Sequence, residues 1–150
     1  MENDRDIPVS RLMHCYGVGR KMYRYAKMVL GWPEEKAREM FVLGLLHDAG
    51  YEFDSDDYGH GDELAKTLER NSYKYASEIR NHNRLIKDPS DELVLLWYAD
   101  QVIDGSGNKV SYDQRLSDIG NRHGFDSRTY RWMKEIIDYC REHGYRDDTE

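Results

Sequence analysis

The chain has 150 residues, of which 39% are hydrophobic, 12% aromatic and 34% charged, with a formal charge of −7. That length suits a single domain, 1–150, and the aromatic share supplies enough burial area to exclude a disordered chain. The acidic balance repels a polyanion and so excludes duplex nucleic acid; no apolar run approaches the ~18 residues needed to span a bilayer, and MENDRDIP carries no apolar targeting core, so no membrane and a cytoplasmic location are expected.

Apolar residues recur mostly at steps of three and four, with only three prolines to interrupt them, so the pattern predicts an all-α bundle of about six to seven helices. A first helix over 9–30 carries the stripe His14, Val18, Met22, Tyr25, Val29 and stops near Gly31-Trp32-Pro33. Pro33 suits the first turn of a second helix, with Glu34 and Glu35 at its positive end. That helix turns apolar on every side through Met40 to Leu46, which marks it as the central one, and its last turn delivers His47 and Asp48 ahead of a stop at Gly50.

Tyr51 to Gly59 is acidic and Gly-bounded, a surface loop with the character of a lid. A third helix places His60, Leu64 and Leu68 on one face, and a fourth groups Tyr75, Ile79, His82 and Ile86, with Asn71-Ser72 between them. Pro89-Ser90-Asp91-Glu92 starts a fifth, on which Leu93, Leu96, Asp100 and Ile103 share a face until the glycines of 104–108 end it. Ser111 and Gln114 form a capping box ahead of Leu116 and Ile119, and Asp126 is placed to cap a last helix bearing Tyr130, Met133, Ile137 and Cys140. Segments 1–7 and 145–150 are expected to be flexible tails. Cys15 and Cys140 fall on separate amphipathic helices without a CxxC pair, so they are read as reduced core thiols. Tyr58, Tyr73 and Trp132 are the aromatic positions open to a dimer contact.

The chemistry sits where polar residues interrupt those stripes. A single histidine on an apolar face is more often a hydrogen-bonded core residue than a ligand. Here His14, His60, His82 and Asp100 all replace apolar residues, and His47-Asp48 ends the most hydrophobic helix; unpaired, such groups are costly to bury. Asp100 has Leu96, Trp97, Ile103 and Asp104 one turn away and no basic neighbour among them, so a cation must come from elsewhere, and a metal supplies it.

The order His14, His47-Asp48, Asp100 across a helical chain resembles the HD-domain superfamily, in which Leu45-Leu46-His47-Asp48-Ala49-Gly50 looks like the central signature and Tyr98-Ala99-Asp100 like the late Ala-Asp motif. The resemblance covers nearly the whole chain and implies an HD-type helical bundle with phosphohydrolase activity. His60 and His82 occupy the places of the two extra histidines of the two-metal branches; by that resemblance Asp48 bridges the metals, His14, His47 and Asp100 complete one centre, and His60 and His82 the other. Asn83 departs from the pattern, where a small residue is common.

Mixed imidazole and carboxylate ligands suit one or two ions of iron, manganese, cobalt, nickel or zinc, with magnesium also admissible. Two divalent ions against two ligand carboxylates leave the site positive, which draws a phosphate group into an acidic protein. A bridging hydroxide between metals about 3.5–4 Å apart attacks phosphorus in line, so no protein nucleophile is required. The expected substrate is a small anionic phosphorylated molecule, a nucleotide or similar ester or anhydride. Lys21, Arg80, Arg84, Lys109 and Arg115 are the basic residues considered for its phosphate, Lys21 because it follows His14 on the same helix face. Glu52 follows the signature closely enough to donate a proton beside Asp48, although it falls one position off the His-Asp-x-x-Glu-Asp pattern of alarmone hydrolases.

Two other readings share the ligand set: a di-iron oxygenase of HD type, and a non-catalytic metal- or nucleotide-binding sensor. His123 and His143 precede glycines at predicted helix ends, where the dipole favours histidine, and are set aside. Asp54 to Gly59 starts like a calcium loop, but Tyr58 and Ala65 stand where ligands are needed, which rejects an EF-hand.

Overall fold

The computed structural model describes residues 9–48 and 60–149, with the side chains of 60–64 excepted. Seven helices follow one another among them: α1 (Val9–Met28), α2 (Glu34–Leu46), α3 (His60–Arg70), α4 (Ala76–Arg80), α5 (Asp91–Gln101), α6 (Tyr112–His123) and α7 (Arg128–Glu142). The described residues contain no strand, only an isolated bridge between Ile103 and Lys109 that closes the turn from α5 to α6.

The most extensive packing joins α1 to α2, and a pair of glycines permits it. A Cβ on Gly44 would lie 2.4 Å from the Gly19 Cα, and one on Gly19 would lie 2.6 Å from the Phe41 carbonyl oxygen, so the two backbones touch where any side chain would hold them apart. This contact sets the spacing between His14 on α1 and the His47-Asp48 turn after α2.

The central helix is α5 and not, as expected, α2. Every residue from Leu93 to Gln101 is buried, whereas Val42 is 44% exposed and Phe41, Leu45 and Leu46 are only partly covered among the described residues. The reason is position: α5 packs against α1, α2, α4 and α7, while α2 spends one face on α1 and meets α5 more lightly. Val29 likewise lies beyond the end of α1 and is exposed, where the stripe placed it inward. Tyr73 and Trp132, considered for a dimer contact, pack partly buried against the core; Tyr58 lies outside the described residues.

Several helix ends follow local chemistry. Ser90 caps α5 through the Leu93 amide, and Ser111 and Gln114 form the capping box at α6. At α7 the cap is Ser127 rather than Asp126, its hydroxyl accepting from the Tyr130 amide at 3.1 Å. Helix α4 stops before His82 instead of running past it. The Asn81 carbonyl accepts from the Trp97 indole at 2.9 Å, which pins the turn carrying His82 to α5.

The tail does not fray as expected. Tyr145 and Asp147 are buried, the Tyr112 hydroxyl donates to the Tyr145 carbonyl, and the Asp147 carboxylate accepts the Tyr112 amide at 2.7 Å, so the tail caps the start of α6. Cys15 and Cys140 are both buried and free.

Candidate metal centre

Four segments bring their polar residues to one point. His14 comes from α1, His47 and Asp48 from the turn closing α2, His82 from the turn after α4, and Asp100 from the last turn of α5; all five are at least nine-tenths buried. The Asp100 carboxylate receives His14 Nε2 at 2.9 Å and His47 Nε2 at 3.3 Å. Asp48 sits across from it, one oxygen 3.8 Å from both of those Nε2 atoms and the other 3.5 Å from His82 Nε2. One donor atom each from His14, His47 and Asp48 fits within 4.8 Å of the others.

The far side of each ring explains this aim. His14 Nδ1 lies 2.8 Å from the Asp104 carbonyl, His47 Nδ1 2.6 Å from that of Gly44, and His82 Nδ1 2.5 Å from that of Ile79. A carbonyl only accepts, so each Nδ1 carries its hydrogen and each Nε2 is directed inward, the arrangement by which backbone acceptors orient ligand imidazoles. The i−3 carbonyls serving His47 and His82 come from their own helical turns. The one serving His14 comes from the turn after α5, through a contact 90 residues away in sequence.

The electrostatics show what this cluster lacks. Burial penalises a charged imidazole at His14, but the hydrogen bond to Asp100 and the charges of Asp100 and Asp48 outweigh it and raise its pKa. Burial also penalises the Asp100 carboxylate, yet the hydrogen bonds from His14 and His47 hold its pKa well below the ordinary value. The pull of the two buried carboxylates on the His14 ring is the pull that a bound cation would meet at this point. Imidazole and carboxylate donors in this number fit a divalent transition metal. The neighbouring Cys15 thiol is pushed up to about 12 by burial and by the charges of Asp48 and Asp100, which disqualifies it as a nucleophile.

A cavity of about 270 Å³ opens onto His14, Asp48, His82 and Asp100, walled by Arg11, Arg115, Arg122, His123, Thr129 and Trp132 among others. Of the five basic residues singled out in the sequence, Arg115 alone lines it, and its buried Nε has no hydrogen-bond partner. Lys21 and Lys109 line a different cavity, Arg80 pairs with Glu69 at 2.7 Å, and the Arg84 guanidinium turns back to Asn81 and the Arg80 carbonyl. Glu52 lies outside the described residues; His60 opens α3, its side chain likewise outside them.

The sequence reading missed Arg11, whose guanidinium meets Asp48 at 2.8 Å, and Arg122 and His123 on α6. Each had a signal. Arg11 precedes His14 by three residues, and Arg115, Ile119, Arg122 and His123 fall at helical spacing on one face. His123 does end α6, as its place before Gly124 suggests, but the same face of the helix also lines the cavity.

A family model described as HD domain matches residues 11–103, well over half of the chain and the span from α1 through α5 that carries His14, His47, Asp48, His82 and Asp100. No curated protein and no solved structure matches.

Proposed function

Because the chain belongs to the HD domain family, whose members are for the most part metal-dependent hydrolases, we propose that it hydrolyses a phosphate ester or anhydride of a nucleotide or another small phosphorylated molecule. The observation that carries this reading is the inward aim of three anchored Nε2 atoms at Asp48 and Asp100, beside a cavity walled by three arginines. His14, His47, Asp48 and Asp100 would hold one ion. His82, which faces the second oxygen of Asp48, would hold another together with His60, making Asp48 the shared ligand.

A bound divalent ion supplies Lewis acidity there, lowering the pKa of water toward neutrality and neutralising charge on a phosphoryl oxygen. The chain's own groups do the rest. Arg115, with an orphaned donor, and Arg122 receive the non-bridging phosphate oxygens, and Arg11 balances Asp48 until substrate charge arrives. The cavity volume, just below the ~300–1,000 Å³ usual for ligand sites, admits a phosphate with a compact organic part and favours a small substrate over a polymer. Glu52 would hand a proton to the leaving oxygen, and Asp104 and Gly44, through their carbonyls, keep the His14 and His47 rings from turning.

The test is phosphate release from a panel of nucleotides, phosphomonoesters and phosphodiesters with manganese, cobalt, nickel, zinc, iron(II) and magnesium in turn, alongside elemental analysis of protein purified without chelator. Metal-dependent release that disappears in His47→Ala and Asp48→Asn supports the reading. Release of no phosphate by metal-loaded protein would hand it to the sensor role, and substrate-dependent oxygen uptake with iron(II) to the oxygenase.

A further inference from the structure

Lys21 and Lys109, which the metal centre leaves aside, meet in a second cavity of about 450 Å³ that shares no lining residue with the first. Arg20, Arg24 and Arg146 join them, five cations on one concave surface of a protein whose net charge is −7. A single lining carboxylate, Asp148, opposes them: its Oδ2 lies 4.0 Å from Lys21 Nζ and contacts Lys109 Nζ. The guanidinium groups of Arg20, Arg24 and Arg146 make no ion pair among the described residues.

Like charges held together on one concave surface repel one another and focus their field there, an arrangement that a bound anion relieves. Lys21 registers it: burial, then the charges of Lys109 and Arg24, lower its pKa, while its ammonium leans over the Tyr98 ring 5.4 Å from the centroid. The turn after α5 divides the two sites. Its Asp104 carbonyl faces His14, whereas Gly107 and Lys109 face this cavity.

We infer that this cavity binds a small anion bearing a diphosphate group, and that Asp148, bridging Lys21 and Lys109 from the docked tail, stands in for one of its oxygens. The inference is independent of the reaction assigned to the metal centre. The volume lies within the ~300–1,000 Å³ of small-molecule sites, and among the described residues five cationic side chains exceed what one carboxylate satisfies. Tyr25 and Tyr98 supply an apolar wall beside the charges.

The test is calorimetric titration of inorganic pyrophosphate into the full chain, kept metal-free with chelator so that the metal centre cannot hold the probe. Lys109→Gln changes an exposed side chain and leaves the fold intact. It should weaken binding about tenfold, the loss of one charge-assisted contact, and Lys21→Gln/Lys109→Gln should weaken it further. Asp148→Asn should tighten binding, because it removes the internal competitor, whereas a purely structural Asp148 predicts no gain. Arg115→Gln/Arg122→Gln, in the other cavity, should leave the affinity unchanged. The inference is overturned if wild-type protein gives no binding heat at about 1 mM pyrophosphate, a concentration at which even weak sites of ~4 kcal/mol half fill. It is equally overturned if affinity follows the arginine pair instead of the lysines, or if Asp148→Asn does not tighten binding.

Discussion

Gly44→Ala sets two physical effects against each other. Helix propensity alone favours the change by about 1 kcal/mol, since alanine orders at lower entropic cost than glycine. The packing opposes it. The added Cβ would sit 2.4 Å from the Gly19 Cα, 2.5 Å from the Gly19 nitrogen and 3.0 Å from the Val18 carbonyl carbon, all backbone atoms that cannot rotate away. Restoring an ordinary carbon–carbon separation of about 3.5–4.0 Å requires α2 to withdraw from α1 by roughly 1 Å. Overpacking of this kind costs about 1–3 kcal/mol and, with no flexible side chain to yield, we expect the upper part of that range, for a net loss of about 1–2 kcal/mol after the propensity gain.

The same displacement reaches the metal centre. His47 follows Gly44 by three residues and its Nδ1 donates to the Gly44 carbonyl, so His47 and Asp48 move with α2 while His14 stays on α1. Metal affinity should fall by about tenfold or more, the scale of disturbing the groups that orient ligands. Urea denaturation of the metal-free protein and calorimetric titration with cobalt measure the two effects. Gly105, with open space around its Cα, is the control: Gly105→Ala should stay within about 0.5 kcal/mol of wild type. A Gly44→Ala protein as stable as wild type or more so, with unchanged cobalt affinity, would refute the argument that glycine is needed for the close approach.

Three further outcomes are expected. His82→Ala and His60→Ala should each lower bound metal from two ions to one by elemental analysis, while His14→Ala should impair the remaining site; retention of two ions by both single variants would remove the shared-ligand role of Asp48. Arg115→Gln should raise KM about tenfold with kcat changed by less than about threefold, as expected for a group that holds substrate phosphate in ground and transition states alike. Asp147 is held below its ordinary pKa: burial works against its charge, but hydrogen bonds from Thr149 and the Tyr112 amide and the nearby Arg141 charge prevail. A depressed carboxylate contributes stability that is present above its unfolded pKa of about 3.9 and lost as pH falls through the folded value. Asp147→Asn should therefore cost about 1 kcal/mol at pH 6, and the gap between variant and wild type should shrink in urea melts at pH 3.

Much of the site was legible from residue types and order. His14, His47, Asp48, His82 and Asp100 stand as polar interruptions in apolar stripes, and their burial follows from that pattern, because a helix places every third or fourth residue on one face whatever its neighbours. Helix starts at Ser90 and Ser111 were legible for a similar reason, since capping is chemistry within four residues. The wall of the cavity was less so. Arg122 and His123 reach it only because α6 packs on α7 and turns that face toward α1 and α5, and Thr129 and Trp132 enter from α7 by the same packing.

Sequence by itself determined that the chain is helical, where α5 and α6 start, and which polar side chains must find partners inside, because those properties are set by local periodicity, by capping chemistry and by the cost of burying charge. Tertiary structure alone decided which helix is central, which arginines face the buried His and Asp cluster and where the lysines go. Lys21 shows the physical reason. Seven residues bring a helix back to the same face, so its side agrees with His14, but they also carry it about 10 Å along the axis, far enough to leave the metal centre and join Lys109 in another cavity. Periodicity gives the angle of a side chain around its own helix; only the packing of the other helices says what waits at that height.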